Sequence, residues 1–339
     1  NMTEKNGRYQ PDFFDPGRVE EVYRVPYQER AEQARQYARE REISPAADDQ
    51  RKTELVLIDV QNTFCTPGYE LFVAGKTGRG AVEDNQRLVA WIYRSLAHIS
   101  GITATMDTHH PLQIFHALFL VDEQGNHPDP NTQISEEEIQ EGIWTINPHA
   151  SRYLGYDPAD LNDHLLNYAR KLSEMEKYQL QIWPYHAMLG GVGHALVSAV
   201  EEAVFFHSAS RHARPDIRIK GNHPLTEAYS AIGPEVFEGP SGKKIAGKSP
   251  FLIEKLKEAD RMVIAGQAKS HCVAWTVSDL LEQIEADDPR LADKVYLLED
   301  CTSPVVIPDV VDFSQRAEQA FDRFEAAGMH RVTTESYPA

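Results

Sequence analysis

Apolar positions along this chain form two kinds of block. Compact apolar runs alternate with longer stretches in which apolar residues recur at helical spacing. The runs at 55–60, 102–106, 217–220, 262–266, 294–298 and 331–334 predict strands. Helices are predicted at about 82–99, 193–208, 250–259 and 310–327, and a further helix opens at Cys272. The unbroken apolar character of 55–60 is what a parallel strand buried on both faces requires.

Strands alternating with helices predict a three-layer α/β/α fold around a mainly parallel, Rossmann-like sheet. In such sheets a ligand site lies beyond the carboxyl ends of the strands. That rule picks out Asp59, Asp107, Lys220 and the turn from Gly266 to Cys272 together. Two segments break the alternation. Residues 1–50 are polar, with a helical stretch around 27–42, and read as an N-terminal arm ahead of one domain spanning 51–339. The stretch at about 117–180 carries the turn-forming run Pro128-Asp129-Pro130-Asn131 and scattered aromatics, Trp144, Tyr153, Tyr156 and Tyr168. An insertion of that length is expected to be a lid, a binding element or an oligomer contact. Gly190-Gly191-Val192-Gly193 has the composition of a phosphate loop, but no strand leads into it, and it reads instead as the start of the 193–208 helix.

Composition narrows the class. With 339 residues, 41% of them hydrophobic, the chain can fill a sizeable core. No apolar run reaches the roughly 18 residues of a membrane span, and the N-terminal stretch does not resemble a signal peptide. Three cysteines, Cys65, Cys272 and Cys301, argue against a disulfide framework and for a reducing, cytoplasmic compartment. A net charge of −18 disfavours nucleic acid and anionic membrane as partners. A small molecule is the expected partner, and a homo-oligomer the expected assembly.

The candidate chemistry centres on Cys272. A helix N-terminus offers free N–H groups and a partial positive charge, both of which favour a thiolate. The plainer reading is a small buried hydrophobe, which also serves for Cys301. Asp59 in a dry pocket could accept a thiol proton, and the Lys220 ammonium could support the charges. Taken singly, Asp59 reads equally as a turn-capping carboxylate and Lys220 as a solvated lysine.

Four segments in order change that balance. Asp59-Val60-Gln61-Asn62-Thr63-Phe64 resembles the D-x-Q-N-x-F signature of the isochorismatase-like cysteine hydrolases, a superfamily that includes nicotinamidases. Lys220-Gly221 followed by Glu227-Ala228-Tyr229-Ser230, then 265–273, then 297–302, are similar to further segments of that superfamily. The resemblance implies a catalytic triad of Asp59, Lys220 and Cys272. It also implies an oxyanion hole from the backbone N–H groups of Ala268 and Cys272, beside a cis Gln267–Ala268 peptide. Asp107-Thr108-His109 and Trp183-Pro184-Tyr185-His186 resemble the metal motifs of the nicotinamidase branch. They imply a divalent metal, zinc or else iron or manganese, on Asp107, His109 and His186, with His110 and His116 competing for a ligand role. Phe64, Trp183 and Tyr229 are candidates for contacting a substrate ring, or equally for the core. The implied activity is hydrolysis of a small-molecule amide through a thioester, nicotinamide to nicotinate. The alternatives are a metal-free isochorismatase-like or carbamoyl amide hydrolase, and a binding protein that kept the pocket. Departures from the pattern are Ala187 where nicotinamidases usually have Cys, Gln267 in place of Val, and His271 beside the nucleophile, for which a surface or supporting role is expected.

Overall fold

A computed structural model describes residues 10–175 and 177–338; the first nine residues of the predicted arm lie outside the described residues. Six strands, β1 (Thr53–Ile58), β2 (Gly101–Asp107), β3 (Asp216–Lys220), β4 (Arg261–Gly266), β5 (Val295–Leu298) and β6 (His330–Val332), form one sheet. Their order is β6-β5-β4-β1-β2-β3 and every pairing is parallel. The long helices are α1 (Tyr27–Glu40), α2 (Gly80–Ser95), α3 (Pro158–Glu174), α4 (Ser198–Arg211), α5 (Phe251–Glu258), α6 (Ala274–Asp287) and α7 (Ser314–Ala326). The fold is therefore three-layer α/β/α.

The period-two geometry of β1 builds both halves of the core. Leu55 and Leu57 point to one face and pack with α2 and α4. Val56 and Ile58 point to the other and pack with α5, α6 and α7. All four are fully buried, and burial of such side chains contributes about 1.5–3 kcal/mol each. The arm helix α1 lies along α4, where buried Arg30 meets Glu202 at 2.7 Å.

Two predicted helices start later than their apolar pattern suggests. α4 begins at Ser198 rather than at 193. Residues 192–195 are instead a turn whose carbonyls are captured by the segment after β1. Asn62 Nδ2 donates to Val192 O, Thr63 N to Gly193 O, Gln61 Nε2 to His194 O and Asn62 N to Ala195 O, all at 2.9 Å. Gly190 to Gly193 thus belong to this turn and not to a helix start. α7 begins at Ser314, because Val306–Ile307 and Val311–Asp312 pair as a small antiparallel hairpin.

The 117–180 stretch has its own small core. Strand pairs Leu120–Val121 with Thr145–Ile146, and Gln133–Ile134 with Leu180–Gln181, surround the buried face of α3. Asp157 caps α3, its side chain accepting from Ala159 N at 2.8 Å, with Pro158 in the first turn. Leu225 and Val236 join this core from outside the stretch.

Candidate active site

From β1 the chain runs to β2 and β3 on one side; β4, β5 and β6 build the other side. The adjacent ends of β1 and β4 are thus the point where strand order reverses, the place where such sheets open a ligand crevice. Ile58 pairs with Gly266, and Asp107 with Lys220, so the residues that follow β1 and β4 and those that end β2 and β3 meet at one level. Gly266 is required there: at its φ of 129° a Cβ would lie 2.0 Å from Ile58 O.

Asp59 turns out of β1 with φ 50° and is fully buried. Thr105 Oγ1 donates to its Oδ1 at 2.7 Å. Its Oδ2 lies 3.0 Å from Lys220 Nζ yet takes no directed hydrogen bond, which leaves a lone pair for a proton. Lys220 Nζ also donates to Asp107 Oδ1 at 3.2 Å, Ala228 O at 2.7 Å and Cys272 Sγ at 3.5 Å. One buried ammonium thus touches the thiol and both carboxylates. Burial opposes its charge, but Asp107 and Asp59 outweigh that and hold it well above the ordinary lysine value. Burial pushes Asp59 up, against the pull of Lys220.

Cys272 departs from the expectation of a thiolate at a helix start. It sits in a π-helical turn, Lys269–Val273, one turn ahead of α6. Burial pushes its thiol well above the usual value; Lys220 opposes the shift and Asp59 adds to it. The raised value favours a thiol at rest, with the Asp59 carboxyl nearby. The Gln267–Ala268 peptide is cis, and the Ala268 N–H donates to no backbone acceptor among the described residues.

The second cluster is Asp107, His109 and His186. All three are buried, and one ligand atom from each lies within 4.8 Å of the others. His109 Nδ1 donates to Gly221 O at 2.9 Å and His186 Nδ1 to Pro184 O at 2.7 Å. Carbonyls only accept, so in the neutral rings both Nε2 atoms present bare lone pairs. These face Asp107 Oδ2 at 2.7 and 3.7 Å. Three lone pairs converging on one point is a donor set that a divalent cation satisfies. With no metal and with the His109 ring protonated, its Nε2 donates to Asp107 Oδ2 at 2.7 Å instead, and that ring and Lys220 outweigh burial and hold the carboxyl well below the usual range. Gly221 leaves room for this packing: a Cβ there would lie 2.7 Å from Asp107 Oδ1 and 2.9 Å from His109 Cε1. Of the two competing histidines, His110 is exposed. His116 is buried with its ring centroid 5.9 Å from those of His109 and His186, and its Nε2 has no hydrogen-bond partner among the described residues.

Both clusters open onto one cavity of about 300 Å³. Phe64, Trp183 and Tyr229 all line it. Trp183 and Tyr229 share an anchor that sequence reasoning missed. Glu227 Oε1 accepts from Trp183 Nε1 at 2.8 Å and from Tyr229 Oη at 3.1 Å, while Oε2 accepts from Tyr168 of α3 at 2.7 Å. Burial pushes this carboxyl up to about 7. The available signal is its place two residues before Tyr229 in the segment that follows Lys220-Gly221. Gln267 also does more than fill space. Its Nε2 donates to Asp84 Oδ2 at 2.8 Å and its Oε1 accepts from Ser303 N at 3.2 Å, tying the Ala268 turn to α2. His271 is buried rather than at the surface. Its ring stacks on Tyr178 at 4.6 Å and 7°, and burial pushes it down to about 3, so it is neutral in the pocket wall.

A wholly parallel α/β/α sheet with these two clusters at its strand-order switch has the fold of the nicotinamidases. The yeast nicotinamidase bound to the inhibitor nicotinaldehyde aligns with TM-score 0.50 and 16% identity over 83% of this chain and 99% of that one. An Acinetobacter baumanii nicotinamidase/pyrazinamidase aligns with TM-score 0.48 and 20% identity, covering 85% and 98%. A zinc complex of the Pyrococcus horikoshii pyrazinamidase gives 0.43 and 17%, covering 83% and 98%. What the chain shares with the yeast enzyme at this identity is the fold. No family model and no curated protein matches the sequence. No helix among the described residues is long and apolar enough to cross a membrane.

Proposed function

We propose that the chain is a metal-dependent amidohydrolase of nicotinamidase type, converting nicotinamide and water to nicotinate and ammonia. The observation that carries this reading is Lys220 Nζ within 3.5 Å of Asp59, Asp107 and Cys272, beside the Asp107, His109 and His186 donor set. Asp59 takes the proton of Cys272 as the sulfur attacks the amide carbon. The carbonyl oxygen gains charge, which the N–H groups of Ala268 and Cys272 receive; each such donor is worth about 2.7–4 kcal/mol in comparable sites. Asp59 returns the proton to the departing nitrogen, releasing ammonia and leaving a thioester. Asp59 then deprotonates the water that attacks the thioester, and the proton passes back to the Cys272 sulfur as the acid leaves. A bound divalent metal would hold the pyridine nitrogen and orient the ring.

The isochorismatase-like alternative is less well served by the pocket. Among the described residues that line it none is Lys or Arg, and Glu70 and Glu227 are there, so a dicarboxylate would find no arginine clamp.

An amide panel including nicotinamide and pyrazinamide, assayed for ammonia with and without chelator, tests the reading. Turnover that survives in Cys272→Ala would replace it with direct attack by metal-bound hydroxide. No turnover of any amide, with an unreactive thiol, would favour a binding protein.

A further inference from the structure

The cavity is larger than one ring needs. A cavity of roughly 150 Å³ holds one benzene; this one has about 300 Å³. Exposure divides it into two halves. The inner half, with Cys272, His109 and Phe64, is buried. The outer part is lined by Leu71, Phe72, Val305 and Val306, all partly exposed.

These outer walls are fixed to the inner site. Val73 N donates to Phe64 O at 2.8 Å, and Leu71 N to Thr63 O at 3.3 Å. Val305 N donates at 3.0 Å to Ser270 Oγ, in the turn that carries the nucleophile. These bonds hold the lining segments in place, as in the largely preformed pockets that bind ligands. The charged side chain on this outer side is Glu70, which accepts from Thr63 Oγ1 at 3.3 Å.

Building on the amidohydrolase reading, we propose that the substrate is an aromatic carboxamide carrying a second, ring-sized apolar group with no negative charge, seated against Leu71, Phe72, Val305 and Val306. Burying a second ring in the outer half raises kcat/KM over the single-ring amide by about tenfold or more.

The test measures ammonia release by the metal-loaded protein from nicotinamide, from its 5-phenyl and 6-phenyl derivatives, and from the matching carboxyphenyl compounds. The expected result is that one phenyl isomer exceeds nicotinamide about tenfold in kcat/KM and its carboxyphenyl counterpart falls below it. In Val306→Trp, and separately in Leu71→Trp, the phenyl-to-parent ratio should collapse. Turnover of nicotinamide with rejection of both phenyl isomers overturns the inference and leaves the amidohydrolase reading standing; so does a ratio that neither tryptophan changes. If no amide is turned over and calorimetry finds none bound to Cys272→Ala, the amidohydrolase reading fails, and this inference with it.

Discussion

Replacing Glu227 by Gln should flatten the pH dependence of stability by a definite amount. The carboxyl is buried and held by Tyr168, Trp183 and Tyr229, and burial raises it from 4.5 to about 7. This is the reverse of the common salt-bridged carboxylate. Below pH 4.5 the group is protonated in both folded and unfolded chains and favours neither. Between 4.5 and 7 the folded protein keeps a proton that the unfolded chain has released, so stability falls as pH rises. Above 7 the loss is complete. The rise from 4.5 to about 7, at about 1.36 kcal/mol per tenfold change in proton affinity, gives a loss of roughly 3 kcal/mol between pH 4.5 and 8. Gln cannot ionise and resembles the protonated form. Urea unfolding of both proteins at intervals from pH 4.5 to 8, read by far-UV circular dichroism, supplies the comparison. The stability difference between Glu227→Gln and the parent should move in favour of the variant by about 3 kcal/mol across that range. Parallel profiles would show that the carboxyl ionises normally and that the three hydroxyl and indole donors already compensate its burial.

Other outcomes follow from the same geometry. Cys272 should alkylate slowly with iodoacetamide at pH 7 and accelerate only above the usual thiol range; rapid alkylation at neutral pH would contradict a buried, proton-bearing sulfur. Gly221→Ala should reduce metal per chain several-fold by elemental analysis while circular dichroism stays native, since its methyl meets Asp107 and His109. Gly266→Ala should fail to accumulate as folded protein, because no side-chain adjustment relieves contact with the Ile58 backbone; a soluble variant with a native melting curve would refute this.

The layered fold and the strand ends were legible because buried parallel strands leave continuous apolar runs, and 55–60 and 262–266 are such runs. The residues singled out at the strand ends, Asp59, Asp107, Lys220 and Cys272, converge because parallel strands bring their carboxyl ends to one edge. What escaped the sequence depends on pairings between distant segments. Gln61 lies two residues after Asp59 in a motif, but its partners, the backbone of Asp107 and the carbonyl of His194, are far along the chain. The late start of α4 follows from that capture, not from any local propensity. The protonation of Cys272 also escaped, because a favourable helix end is a local property whereas burial on all sides is not.

The position of Lys220 has a consequence for how this site can change. Its single ammonium is shared by Asp59 of the proposed hydrolytic set and Asp107 of the proposed metal set. Substitutions on either side should then combine non-additively: a double-mutant cycle between Asp59 and His109, which belong to different clusters, should return a coupling energy well above that of unconnected residues. A change of metal preference would alter the basicity available to the sulfur, and a change of nucleophile would alter the metal. The two halves of the site are one electrostatic unit, and selection acting on either acts on both.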